Sequence, residues 1–160
     1  MEKGSHEEPR AHLTRWVHEY LHTLERDHGW PAHWKIARHL DQYFREPLHI
    51  GRLAHAFGRG RTVLMRDFRR AFGLTIAGYQ TRLRLRHAVI DLRRPGSNVE
   101  AVARLVGYKS PKNFYAALKA ETGLTPSEAR SLTEAQLRRL LDVELGMNGT
   151  GTGFEPRSRA

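Results

Sequence analysis

The chain contains one stretch of about two dozen residues twice. The segment LAHAFGRGRTVLMRDFRRAFGLT begins at Leu53, and the segment VARLVGYKSPKNFYAALKAETGLT begins at Val102. The two match in residue type along their length, with one extra residue in the second copy's turn. An internal repeat of this kind predicts that the same supersecondary unit occurs twice in the fold.

Each copy has the pattern of two helices joined by a short turn. A small residue in the first helix, Ala54 or Ala103, lets the second helix cross it closely. Four residues later, Gly58 or Gly107 can take the positive φ that ends the first helix. This pattern is typical of a helix-turn-helix unit.

The second helix of each copy is predicted to span residues 61–72 or 111–122 and to have one buried face. Leu64 and Phe68 in the first copy, and Phe114 and Leu118 in the second, are four residues apart and lie on one side of a helix. The opposite side is free to contact DNA. With the outward positions and the residue that begins each helix included, the candidate DNA-binding residues are Arg61, Thr62, Met65, Arg66, Arg69, Pro111, Lys112, Tyr115, Ala116 and Lys119.

Several of these side chains suit the edges of base pairs. Arg66 can donate two hydrogen bonds to guanine O6 and N7, and Lys112 can donate to a guanine or to a phosphate. Thr62 can touch a thymine methyl group, and Tyr115 can offer an apolar edge or a phosphate hydrogen bond. The sequence therefore predicts two unequal recognition helices.

The remaining periodicity is also helical. No stretch alternates with period two, which predicts an all-α fold. An amphipathic N-terminal helix is expected over 11–28, a long helix over 76–93 between the two units, and a continuous last helix over 126–141. The long helix carries Arg82, Arg84 and Arg86 and is expected to hold the units at a fixed separation, with Arg86 contributing to affinity for all DNA sequences alike. The expected organisation is an N-terminal helical extension (1–46), a DNA-binding domain (47–133), a C-terminal helix end (134–145) and a disordered tail (146–160).

Composition favours a polyanionic partner. Lys and Arg number 27 against 17 Asp and Glu, and the formal net charge is +10. The chain has no apolar run of the roughly 20 residues that span a bilayer, and MEKGSHEEPR is not a signal peptide. A soluble cytoplasmic, nucleoid-associated protein without a membrane partner is therefore expected. The absence of Cys excludes disulfides and Cys-ligated zinc, and no cofactor, metal site or catalytic residue is predicted.

The two repeats and the helix between them resemble the DNA-binding domain of the AraC/XylS family of bacterial transcription regulators. The resemblance covers residues 50–130 and includes Tyr79 and the segment RLRHAVIDL at 84–92. It implies two helix-turn-helix units that enter successive major-groove segments on one face of double-stranded DNA. RNA polymerase is a further candidate partner, and a monomer on DNA is the expected state.

A different class of function is suggested by the segment HEYLH at 18–22, which matches the H-E-x-x-H pattern of zinc hydrolases. His18, Glu19 and His22 lie on the polar side of the predicted helix, and neither a third ligand nor a substrate-binding strand is evident. A solvent-exposed helix face is the favoured interpretation.

The N-terminal helix offers a third possibility. Trp16, Tyr20 and Leu24 form an apolar stripe that would make a dimer or contact another protein if it did not pack onto its own domain. Packing onto the domain is the favoured interpretation of this stripe.

Overall fold

The computed structural model describes residues 31–146, which form helices and turns without a strand. The expected all-α fold is confirmed. The predicted helix over 11–28, with its HEYLH segment, lies outside the described residues, as does the tail from residue 147. The helices are α1 (Ala32–Tyr43), α2 (Ile50–Ala56), α3 (Arg61–Phe72), α4 (Ile76–Leu92), α5 (Val99–Leu105), α6 (Pro111–Thr122), α7 (Pro126–Arg130) and α8 (Glu134–Arg139).

The central helix α4 buries opposite faces in its two halves. In the first half, Ile76, Tyr79, Gln80 and Leu83 are buried and lie within about 100° of one another on the helix. In the second half, the buried residues lie on the other side of the helix; they are Leu85, Ala88, Val89 and Leu92. Each half therefore presents its apolar face in a different direction.

The two faces of α4 serve different helix-turn-helix units. Tyr79 in the first half packs edge-on against Phe68 and Phe72 of α3, with ring centroids 5.4 Å apart in both pairs. The second half packs against α5 and α7, and Arg130 of α7 donates to the Leu92 carbonyl at 3.3 Å. The long helix is thus the shared core of the two units.

Helix α1 belongs to the same hydrophobic core. Ile36, Ala37, Leu40 and the following Phe44 are at most 3% exposed and pack in one cluster with the buried residues of both units. The expected domain boundary at residues 46 and 47 remains a prediction, but the packing does not separate α1 from the rest.

The prediction of one continuous helix over 126–141 is wrong. Helix α7 ends at Arg130, and α8 begins after Thr133, whose hydroxyl accepts a hydrogen bond from the Gln136 backbone N–H while the Gln136 side chain accepts from the Thr133 N–H. This capping box starts a new helix instead of extending the old one. A π-helical turn over Leu140–Glu144 follows, and Leu140 and Leu145 are buried.

Candidate nucleic-acid interface

The turns of the two units have equivalent backbone geometry. Gly58 has φ of 58° and Gly107 has φ of 101°, which confirms the positive φ predicted at both positions. One residue beyond each glycine, the backbone N–H donates back to the small residue of the first helix. Arg59 N donates to Ala54 O at 3.0 Å, and Tyr108 N donates to Ala103 O at 2.9 Å.

The inward anchors of the recognition helices are buried as predicted. Leu64 is 3% exposed, and Phe68, Phe114 and Leu118 are fully buried. These anchors fix the rotation of α3 and α6 about their axes, so they determine which side chains each helix presents to solvent.

The predicted outward positions are exposed in both helices. Met65 is 43% exposed and its equivalent, Tyr115, is 44% exposed. The sequence of buried, half-buried and exposed positions is the same along α3 and α6 from their fourth residue to their eleventh. The remaining exposed predicted positions are Thr62, Arg66, Arg69, Lys112, Ala116 and Lys119.

The first residues of the two helices differ. Arg61 is exposed, whereas Pro111 is half-buried. Neither Gly60 nor Ser110, the residues that precede them, makes a side-chain capping hydrogen bond. Of the two candidates, only Arg61 presents a charged side chain at the start of its helix.

The two exposed faces carry unequal charge. Helix α3 contains four Arg and one Asp, and α6 contains two Lys and one Glu. Lys119 donates to the carbonyl of Gly123 at 2.6 Å, at the C-terminal end of its own helix. Glu121 forms an ion pair with Arg82 of α4 at 3.4 Å. The first unit therefore has the stronger attraction for an anion.

Asp67 was not predicted as part of the interface. It forms an ion pair with Arg66, although consecutive residues on a helix point in different directions and sequence spacing gives no signal for such a pair. Arg66 is the candidate with the best base-contacting chemistry. The Asp67 carboxylate therefore competes with DNA for the hydrogen-bond donors of the first unit.

The arginines of the connecting helix do not form a free positive surface. Arg84 donates to the backbone carbonyls of Phe44, Arg45 and Glu46. Arg82 donates to the Gly146 carbonyl at 2.7 Å, and Arg86 donates to the Leu141 carbonyl. The Arg86 guanidinium holds the C-terminal turn, which favours a structural role, and its expected contribution to affinity for all DNA sequences stays a prediction.

Within residues 31–146, no group of three or more His, Asp or Glu side chains is arranged to hold a metal ion. Over the same residues, no helix is long and apolar enough to cross a membrane. The HEYLH segment lies outside this range, and the zinc alternative stays a prediction.

Comparison with protein families identifies the double unit. The family model described as "Helix-turn-helix domain", which is of the AraC type, matches residues 53–132, half of the chain. The chain belongs to the AraC/XylS family. The matched region is the DNA-binding domain of this family of transcription regulators. Such domains are generally non-enzymatic.

One relative is a bacterial transcriptional regulator. The chain is 26% identical over 105 residues to YisR, an uncharacterized HTH-type transcriptional regulator of Bacillus subtilis (strain 168). The match covers 66% of this chain and 37% of that protein, so the chain spans little more than a third of the relative's length.

Solved structures share the AraC-type fold. The C-terminal domain of AraT, a response regulator from Geobacillus stearothermophilus, superposes with a TM-score of 0.60 at 20% identity over 68% of this chain and 93% of that one. The C-terminal domain of the two-component response regulator yesN from Fusobacterium nucleatum gives a TM-score of 0.55 at 18% identity, covering 60% and 94%. Both matches support the arrangement of two helix-turn-helix units.

Proposed function

We propose that the chain is a sequence-specific transcription regulator in which α3 and α6 enter successive major-groove segments on one face of the duplex. The observation that supports this most directly is the matching exposure of the two helices, with Met65 and Tyr115 at 43% and 44%. Two helices that keep the same face free, on a chain of net charge +10, suit two segments of one polyanionic surface.

The two recognition helices have different roles in this proposal. Arg66 makes the bidentate guanine contact of the first unit, while the equivalent Ala116 offers only a methyl group. Lys112 and Tyr115 give the second unit a donor and an aromatic edge, which contact a phosphate or a base. The first unit therefore contributes most of the base selectivity.

The preferred DNA site is asymmetric, because one polypeptide carries two unlike recognition helices. Two distinct short elements about one helical turn apart are expected. Selection of binding sites from random DNA tests this directly. A two-fold symmetric consensus bound by a dimer would overturn it.

Insertion of about five base pairs, half a helical turn, between the two elements tests whether both units bind together. Specific binding should be abolished or reduced to the element bound by the first unit, because α4 fixes the separation of the units. Indifference to the insertion would contradict simultaneous binding.

The Arg66→Ala variant tests the assignment of base contacts. It should cost about 1–3 kcal/mol on the selected site and relax the preference at one base pair. Arg138→Ala removes an exposed Arg outside both units and serves as the charge-matched control. If the two variants lose equal affinity on selected and random DNA, Arg66 does not contact a base.

The location, the oligomeric state and the salt dependence of DNA binding follow from the same proposal. We expect a cytoplasmic monomer on DNA, with RNA polymerase as a candidate second partner. Log affinity should fall linearly with log salt concentration, with a slope of about 0.9 per phosphate neutralised. An affinity independent of salt would exclude phosphate contacts as the source of binding.

A further inference from the structure

The segment that follows α1 is bound to α4 by a group of hydrogen bonds. We call residues Phe44–Glu46 the elbow. Gln80 Nε2 donates to Phe44 O at 3.1 Å and to Glu46 O at 2.8 Å. Arg84 donates from Nε to Phe44 O at 2.6 Å and from Nη2 to Arg45 O and Glu46 O at 3.3 and 2.9 Å. Phe44 is the C-cap of α1, and its carbonyl is one of those that the end of a helix leaves without a partner.

The elbow also contacts the turn of the second unit. Arg45 Nε donates to the carbonyl of Leu105, the last residue of α5, at 3.1 Å. The Arg45 carbonyl approaches Gly107 so closely that a Cβ there would lie 2.4 Å from its oxygen. The Arg84 guanidinium lies over the ring of Tyr108, 5.5 Å from its centroid. A glycine at position 107 is therefore needed for this contact as well as for the turn.

The other end of α1 packs against the first unit. The Trp34 ring meets the Phe72 ring of α3 edge-on, with centroids 5.1 Å apart. Between Trp34 and the elbow, Ile36 and Leu40 are buried in the core. Helix α1 thus runs from the recognition helix of the first unit to the turn of the second.

We propose that α1 and the elbow form a second connection between the units, in addition to α4, and that Arg84 and Gln80 are positioning residues that set the spacing of the two DNA elements. Two connections at different places resist a change in the relative orientation of the units more than α4 does alone. This inference rests on the proposed binding of DNA by both units, because its consequence is a spacing preference.

A distance measurement without DNA tests the connection itself. The chain has no Cys, so spin labels can be attached at cysteines that replace two equivalent exposed residues of the recognition helices, Arg70 and Ala120. Arg84→Met should broaden or shift the distance distribution, because it removes the three elbow bonds and keeps an apolar stem. Arg93→Met is the matched control, since Arg93 directly follows the same helix and pairs with Glu134 of α8, outside the elbow and both recognition helices. Equal distributions in both variants and the parent would overturn the proposal.

A spacing series on the selected DNA site tests the consequence. When the two elements are moved by roughly one to three base pairs, the parent chain and Arg93→Met should lose affinity steeply. Arg84→Met should discriminate between the spacings about tenfold less than the parent chain does. A parent chain indifferent to spacing would contradict the proposed function, while the label distances would still decide whether the elbow connects the units. An altered distance with an unchanged spacing preference would overturn the role of Arg84 in positioning.

A second pair of variants covers the case in which Arg84→Met fails to fold. Gly107→Ala pushes the elbow away from the second unit, whereas Gly58→Ala, at the equivalent position, meets no atom within 4 Å. Both introduce a side chain at positive φ. A changed label distance in Gly107→Ala but not in Gly58→Ala supports the connection, and the same distance in both contradicts it.

Discussion

The guanidinium of Arg66 donates from Nε and Nη2 to one carboxylate oxygen of Asp67, at 3.2 and 3.1 Å. The side chains are 60% and 42% exposed, so water screens the pair and its contribution to stability is small. A pair this weak exchanges readily for a guanine or a phosphate. In the second unit, the equivalent of Asp67 is Ala117, so only the first unit places a carboxylate at this position of its recognition helix.

Asp67→Asn should strengthen binding to selected and random DNA alike, by about 1 kcal/mol or roughly fivefold at low salt. The substitution removes a negative charge that competes with DNA for Arg66. Fluorescence anisotropy with both DNAs measures the change. Asp91→Asn is the control, because Asp91 also pairs with a nearby arginine, Arg94, but lies at the end of α4. Equal gains in the two variants would show only a change in net charge.

The buried His39 should make the protein less stable as pH falls from about 6.5 to about 4. Burial lowers the pKa of His39 to about 4, so across this range the unfolded chain binds a proton that the folded chain does not. The free energy of unfolding then decreases by at most about 1.4 kcal/mol per pH unit from this residue. Burial lowers the pKa of His33 and His87 as well, which adds in the same direction.

The test of His39 is urea unfolding at two pH values within that range, with the parent and two variants. His39→Phe keeps a ring against Tyr43, whose centroid lies 4.9 Å away, and should flatten the pH dependence. His55→Gln alters an exposed histidine and should leave the dependence as it is. A dependence that persists in full in His39→Phe would assign it to other groups.

Arg86→Met should lower the free energy of unfolding by about 1–3 kcal/mol. It removes the donors to the Leu141 and Leu145 carbonyls. Hydrogen exchange should speed up in residues 140–146, and the affinity of the folded protein for DNA should be unchanged. If affinity for every DNA falls while stability holds, Arg86 contacts phosphate after all.

Two truncations should differ sharply in stability. Deletion of 147–160 should leave the melting temperature nearly unchanged, because that segment has few apolar residues. Deletion of 140–160 also removes the buried Leu140 and Leu145 and should cost several kcal/mol, since each leucine is worth about 2–5 kcal/mol when truncated in a core. Thermal unfolding followed by circular dichroism distinguishes them. A large loss from the shorter deletion would show that residues 147–160 contribute to folding.

The recognition helices could be predicted from the sequence because their determinants are local. Leu64 and Phe68 are one turn apart, and the position of Gly58 relative to Ala54 is set by the turn alone. Such spacings fix both the buried and the exposed face without knowledge of the rest of the fold. Phe114 and Leu118, also one turn apart, determine the equivalent face of α6.

The remaining features depend on contacts between distant segments or on competition between local signals. The elbow joins residues 44–46 to Arg84 and Gly107, which no periodicity connects. The end of α7 was missed because the apolar spacing continues past residue 130, whereas the capping box at Thr133 and Gln136 decides the break. Arg66 was predicted on the outer face, but its pairing with Asp67 depends on rotamers that spacing does not specify.

The change of buried face along α4 bears on how this domain could have evolved. A unit cut out on its own would keep the whole of α4 and expose the apolar residues that the other unit covers, such as Leu85 and Val89 for the first unit or Tyr79 and Leu83 for the second. Although the two copies share a sequence pattern, neither is a separable module. A substitution that destabilises one unit therefore affects the other through α4, so the two units evolve as one domain.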